Sequence, residues 1–160
     1  GRIIDTCINY EWRIKLEVVT NSVGETQSFA SKFARKVING TVIALIGDLG
    51  SGKTSFTQGF AKGLDIDQHI GSPTFKLVSE YIGPKLKLYH ADCYRLKNSN
   101  DFLNFGGENL LIPIDGVTII EWADIIKEIL PEHTIIINFD RIKKDLNHRI
   151  LKIQNYNEFK

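Results

Sequence analysis

Thr41-Val42-Ile43-Ala44-Leu45-Ile46-Gly47-Asp48-Leu49-Gly50-Ser51-Gly52-Lys53-Thr54 passes from an apolar, largely β-branched run straight into a glycine-rich loop. The first six residues read as a strand buried on both faces of a parallel sheet. Gly47 to Thr54 then fills every fixed position of G-x-x-x-x-G-K-[ST], the P-loop pattern. Each residue type has a chemical reason. Glycines let the backbone turn tightly and aim successive N–H groups at phosphate oxygens. Lys53 is a point charge able to reach β- and γ-phosphates, and Thr54 offers a hydroxyl to Mg²⁺. A following helix directs its positive end at the same anion. Phe56, Phe60 and Leu64, four apart, mark that helix, with Gly63 near its end.

The flanking sequence supports an α/β reading. Trp12 to Val18 alternates apolar and charged residues, as a half-buried strand does. Ser22 and Glu25 have capping-box spacing, and Phe29, Ala30, Phe33, Ala34, Val37 and Ile38 follow at helical intervals up to Asn39-Gly40. Leu77 to Tyr81 and Lys85 to Asp92 are expected as strands around the Gly83-Pro84 turn. Asn98 to Gly107 reads as loop with a short helix. Val117 to Glu121 is a second buried strand, Ile125 to Leu130 a short helix stopped by Pro131, and Thr134 to Phe139 and Arg149 to Ile153 are further strands. The expected fold is a single α/β P-loop NTPase domain over residues 1–160. Its sheet is largely parallel, flanked by helices, with some antiparallel strands. Residues 1–11 read as an N-terminal extension and 155–160 as a tail, fraying from Gln154.

Composition narrows the function classes. Twenty basic and 19 acidic side chains leave a net charge of +1, without the footprint of a dedicated nucleic-acid binder. Cys7 and Cys93 lie far apart without metal-ligand spacing and read as free thiols of a reducing compartment. The chain shows no membrane-length apolar run and no signal-peptide plan, so a cytoplasmic location is expected. Gly1 in place of Met is expected to mark a trimmed or tagged start.

A P-loop needs an acid near Mg²⁺, usually at the end of a buried strand. Glu121 fits that place. Asp92, also at a strand end, is the other candidate, either behind the metal or positioning the attacking water, and the two acids are interchangeable at this stage. Trp122 is either core packing or a ring near the nucleotide. His90 and His133 read as structural, and an isolated Arg such as Arg95 or Arg149 is more often a surface ion-pair member than a phosphate ligand.

Taken together, the P-loop, Ser72-Pro73-Thr74-Phe75, Tyr89-His90-Ala91-Asp92-Cys93-Tyr94-Arg95-Leu96 and Ile120-Glu121-Trp122 occur in an order and spacing that resembles the TsaE (YjeE) family. The resemblance extends from about Ser22 to Ile153. It implies a small ATPase of tRNA threonylcarbamoyladenosine biosynthesis that binds and hydrolyses Mg-ATP to assist TsaB and TsaD, meeting tRNA through that complex. Position by position, it implies that Gly50, Ser51, Gly52, Lys53, Thr54 and Ser55 hold the phosphates and that Thr54 and Glu121 hold Mg²⁺. Thr26 is similar to a family Thr near the nucleotide, Thr74 to a residue sensing the γ-phosphate, Asp92 to the family acid, and Arg149 to a late Arg beside the nucleotide. Lys53, Asp92 and Thr74 are thus the candidate catalytic residues. Ser51, Ser55, Cys93 and Ala123 depart from the family pattern without touching a proposed ligand.

Two other readings compete: a small-metabolite kinase and a nucleotide-dependent switch protein. Asn98 to Pro113 contains no Arg, which argues against the Arg-rich lid a kinase needs. No Asn-Lys-x-Asp segment favours guanine, so ATP is expected over GTP. With no Arg finger evident beside the loop, slow unaided hydrolysis is expected.

Overall fold

The computed structural model describes residues 2–5, 15–71, 76–141 and 147–156. One eight-stranded sheet carries the molecule, built from β1 (Arg2–Asp5), β2 (Lys15–Thr20), β3 (Val42–Ile46), β4 (Val78–Ile82), β5 (Lys87–Asp92), β6 (Gly116–Glu121), β7 (Ile135–Arg141) and β8 (Arg149–Gln154), in the order β1-β2-β8-β7-β3-β6-β5-β4. The four central strands β7, β3, β6 and β5 are mutually parallel. Antiparallel strands extend both sides, β4 on β5 and the β7-β8-β2-β1 run on the other. The parallel part is the expected one: β3 and β6 are buried nearly end to end because helices cover both faces.

One face carries α1 (Val23–Ala34) and α2 (Lys53–Gly63), whose aromatic rings fill the larger core. Phe33 lies 6.1 Å from Phe56 and 6.3 Å from Phe60 between ring centres, and Phe139 of β7 meets Phe56 edge-on at 5.8 Å. The other face carries α3 (Ser99–Asn104), α4 (Glu108–Leu111) and a 3₁₀ segment, Ala123–Ile129, over Val42, Ala44, Ala91 and Ile120. Cys93 belongs to this second layer. Burial, reinforced by Asp92 and Asp124, pushes its thiol up to about 12. An alkylating reagent at about pH 8 should therefore leave Cys93 unmodified in the folded chain and label it fully in denaturant. Peptide mass mapping reads this directly, and native labelling of Cys93 would mean that the layer opens.

Several boundaries differ from the periodicity reading, each for a local reason. The capping box forms, with Ser22 Oγ accepting from the Glu25 N–H at 3.0 Å. Helix α1 nevertheless stops at Ala34, well before Gly40. Lys36 and Val37 donate to Phe33 and Ala34 three residues back, tightening the chain so that Val37 stays buried while Ile38 is 58% exposed. The Asn98 to Gly107 stretch holds α3, capped by Asn98, which accepts from the Asp101 N–H at 3.0 Å. The tail expected to fray from Gln154 is packed as far as Tyr156, and residues 157–160 lie outside the described residues. Gln154 pairs with Lys15, and the Tyr156 ring is buried 5.2 Å from Phe33. Arg2–Asp5, read as extension, adds the edge strand β1 to β2. Residues 12–14 of the expected first strand lie outside the described residues.

Candidate functional site

Strand register gathers the chemistry at one end of the sheet. Asp92 pairs with Glu121 across β5 and β6, and Glu121 pairs with Leu45 of β3, so both acids reach the carboxyl ends of their strands where the glycine loop begins. This is where ligands bind in open α/β sheets. A cavity of about 610 Å³ opens there, lined by the loop from Leu49 to Ser55, with Thr26, Asp92, Glu121, Trp122 and Arg149.

The loop has the conformation its glycines permit. Gly50 and Gly52 sit at φ +72° and +110°, in the left-handed region, and α2 starts directly at Lys53. The first-turn N–H groups of α2 therefore point at the cavity, the arrangement that suits an anion. Ser51 Oγ is buried without a hydrogen-bond partner.

Lys53 is held at three points. Its ammonium donates to the carbonyls of Gly47 and Asp48, the latter at 3.0 Å, and lies 4.2 Å above the Trp122 ring centre. Burial pulls its pKa below the ordinary lysine value, opposed by Glu121, Asp92 and Asp48. Trp122 follows Glu121 at φ +56°, a conformation that costs a non-glycine residue about 1 kcal/mol or more. That turn lays the indole across the cavity wall, 5.0 Å from the Tyr94 ring. Sequence left core packing and proximity to the nucleotide both open for Trp122; the ring packs against the second layer and also lines the cavity.

Glu121 is 3% exposed, and its two oxygens face different partners. Oε1 lies 3.4 Å from Thr54 Oγ1. Oε2 lies 2.5 Å from Nε2 of His90, which is fully buried. Among the described residues no group of three or more His, Cys, Asp or Glu side chains converges on a metal position. The donor set is instead two hard oxygens, Thr54 Oγ1 and a Glu121 carboxylate oxygen, side by side at the head of α2. That fits Mg²⁺, which takes one or two protein oxygens and draws the rest of its shell from phosphates and water.

Other sequence-predicted residues sort as follows. Thr26 lines the cavity from α1 but is nearly fully buried, its hydroxyl 2.6 Å from that of Thr20. Asp92 lines the cavity and accepts from the Tyr94 N–H at 2.9 Å. Thr74, with Ser72, Pro73 and Phe75, lies outside the described residues. Arg149 reaches Gly50 O at 3.4 Å, and Arg141, which sequence reasoning did not single out, donates to the same carbonyl. Two arginines thus stand at the loop, Arg149, which the resemblance put beside the nucleotide, and Arg141, which it did not. Arg141 and Arg149 are directly paired on β7 and β8, so the sheet places like charges side by side. Only the strand pairing could have revealed this, because eight positions separate them in the chain.

The threonylcarbamoyl adenosine biosynthesis protein TsaE model matches residues 20–150. The tRNA threonylcarbamoyladenosine biosynthesis protein TsaE of Treponema pallidum is 38% identical over 135 residues, 84% of this chain and 98% of that protein. Its namesake from Bacillus subtilis is 40% identical over 121 residues, 76% of this chain and 75% of that protein. The crystal structure of Bacillus subtilis YdiB superposes with a TM-score of 0.72 at 33% identity, covering 91% of this chain and 88% of the other. With the motifs, the fold and these likenesses in agreement, the chain belongs to the TsaE family.

Proposed function

We propose that this chain is a Mg²⁺-dependent ATPase that serves TsaB- and TsaD-type subunits in forming threonylcarbamoyladenosine beside the anticodon of tRNA. The observation that carries this is the meeting of Lys53, Thr54 and Glu121 at the head of α2, inside one cavity. The loop N–H groups from Gly50 to Ser55 bind the phosphates, and Lys53 leaves the Gly47 and Asp48 carbonyls to contact the β- and γ-phosphates. Thr54 and Glu121 hold Mg²⁺. Bound Mg²⁺ supplies charge neutralisation where negative charge develops on the transferring phosphoryl oxygens. Asp92, beside Glu121 at the strand ends, orients the attacking water. Arg149 and Arg141 add positive charge at the outer edge of the loop near Gly50. Thr26 closes the wall on the α1 side.

The test is hydrolysis by the purified chain alone and then with TsaB, TsaD and tRNA. The reading expects slow turnover alone, stimulation by those partners, and threonylcarbamoyl transfer that depends on ATP. No response to the partners, with phosphate passed to a small metabolite instead, would overturn it and favour a kinase.

A further inference from the structure

The buried histidine of β5 has no part in the scheme above, yet among the described residues its polar contact is with the proposed metal ligand. His90 and Glu121 lie on the same sheet face, two register positions apart on adjacent parallel strands, since His90 pairs with Ile119 and Asp92 with Glu121. That face is otherwise apolar below the cavity, formed by Leu88, Val117 and Ile119. A carboxylate and an imidazole buried in such a layer cost stability unless they satisfy one another. They do so at 2.5 Å, and the other ring nitrogen, Nδ1, is buried without a hydrogen-bond partner among the described residues.

We propose that His90 is a positioning residue that fixes the Glu121 carboxylate by donating from Nε2 to Oε2, so that Oε1 is presented beside Thr54 for Mg²⁺. This rests on the reading of Glu121 as a metal ligand. Three features of the geometry support positioning over mere core filling. The two carboxylate oxygens are divided, the inner one to His90 and the other to the Thr54 side. The ring is held by the apolar layer around it and has no second polar anchor among the described residues, so its polar contact there is spent on Glu121. The ionised carboxylate can only accept, so it pairs with the ring form that carries the proton on Nε2, the form able to donate. Partners that orient ligating carboxylates typically govern metal affinity by about 10- to 100-fold.

The test measures ADP binding with Mg²⁺ and with excess chelator, in the full chain and in His90→Leu and His90→Gln. Gln keeps an amide N–H near the place of Nε2; Leu does not. His90→Leu should bind ADP in chelator as the parent does, which also reports an intact fold, while its Mg²⁺ affinity falls about 10- to 100-fold. His90→Gln should recover most of that loss. Unchanged Mg²⁺ dependence in His90→Leu, or equal losses in both variants, would overturn the assignment and leave Glu121 as a ligand untouched. A parent chain whose ADP binding ignores Mg²⁺ would remove the metal reading and this assignment together. Nitrogen-detected NMR of the unaltered chain adds a measurement that needs no variant. The proton should sit on Nε2, and the signal should shift with Mg-ADP but little with ADP in chelator. A proton on Nδ1 would overturn the proposal.

Discussion

Lys53→Ala is expected to lower ATP turnover by about 100-fold or more while leaving the fold intact. The side chain is the one cation inside the loop, and its contacts are with the Gly47 and Asp48 carbonyls and the Trp122 ring rather than with an acid. Removing it breaks no direct ion pair, and Glu121, whose charge the ammonium favours from a distance, keeps its hydrogen bond to His90. The two carbonyls it leaves belong to half-buried Gly47 and exposed Asp48, so water can take the place of the ammonium. Stability should change little, while both nucleotide affinity and the chemical step lose a charge aimed at the β- and γ-phosphates. Thermal unfolding without nucleotide and single-turnover hydrolysis separate these effects. Turnover within a few-fold of the parent would remove Lys53 from the catalytic set. The depressed pKa gives a second sign. Nucleotide phosphates favour the charged ammonium, so binding should draw in a proton near the top of the pH range, and Lys53→Ala should abolish that uptake.

The strand and loop around Lys53 were legible because the chemistry there is local. A buried strand, glycines at fixed spacing and a helix head occupy fourteen consecutive residues, so sequence distance and spatial distance coincide. Glu121 was legible for a related reason: a single acid ending an apolar β-branched run has few places to go. His90 was not. Its role depends on how β5 pairs with β6, and sequence offers no register, so a buried histidine reads as core. The pairing of Arg141 with Arg149 was hidden in the same way, since it arises only from the antiparallel register of β7 with β8. The end of α1 was misjudged because Val37 and Ile38 continue the helical spacing while the backbone has already tightened into a turn. Gly63 stands at the end of α2 as expected, but sequence alone does not show that its missing side chain makes room for α1.

Gly59 and Gly63, one turn apart on α2, are where α1 crosses. A β-carbon on Gly59 would stand 2.4 Å from the Gln27 carbonyl oxygen and 2.5 Å from Gln27 Cα. On Gly63 it would stand 2.3 Å from the Ser31 carbonyl oxygen. These neighbours are backbone, with no flexible tip to swing aside, so even one added methyl forces the helices apart. Glycine in a helix interior normally costs up to about 1 kcal/mol against alanine, so elsewhere on α2 an alanine would help. Here the sign reverses. Gly59→Val is expected to destabilise the fold by roughly 3 kcal/mol, the upper end for overpacking, because Phe29 and Phe33 of α1 would be levered off Phe56. For a chain of this size that corresponds to a fall in melting temperature of roughly 6 to 12 °C. The consequence reaches the site, since α1 also carries Thr26 into the cavity wall and α2 begins at Lys53. Gly59→Val should therefore weaken nucleotide binding as well as stability, whereas Gln58→Ala, one position away, should remove only the side-chain bonds to Gln27 and the Ile70 carbonyl and cost far less. Calorimetry of both variants checks this, and a Gly59→Val chain as stable as the parent would show that the helices can separate without loss.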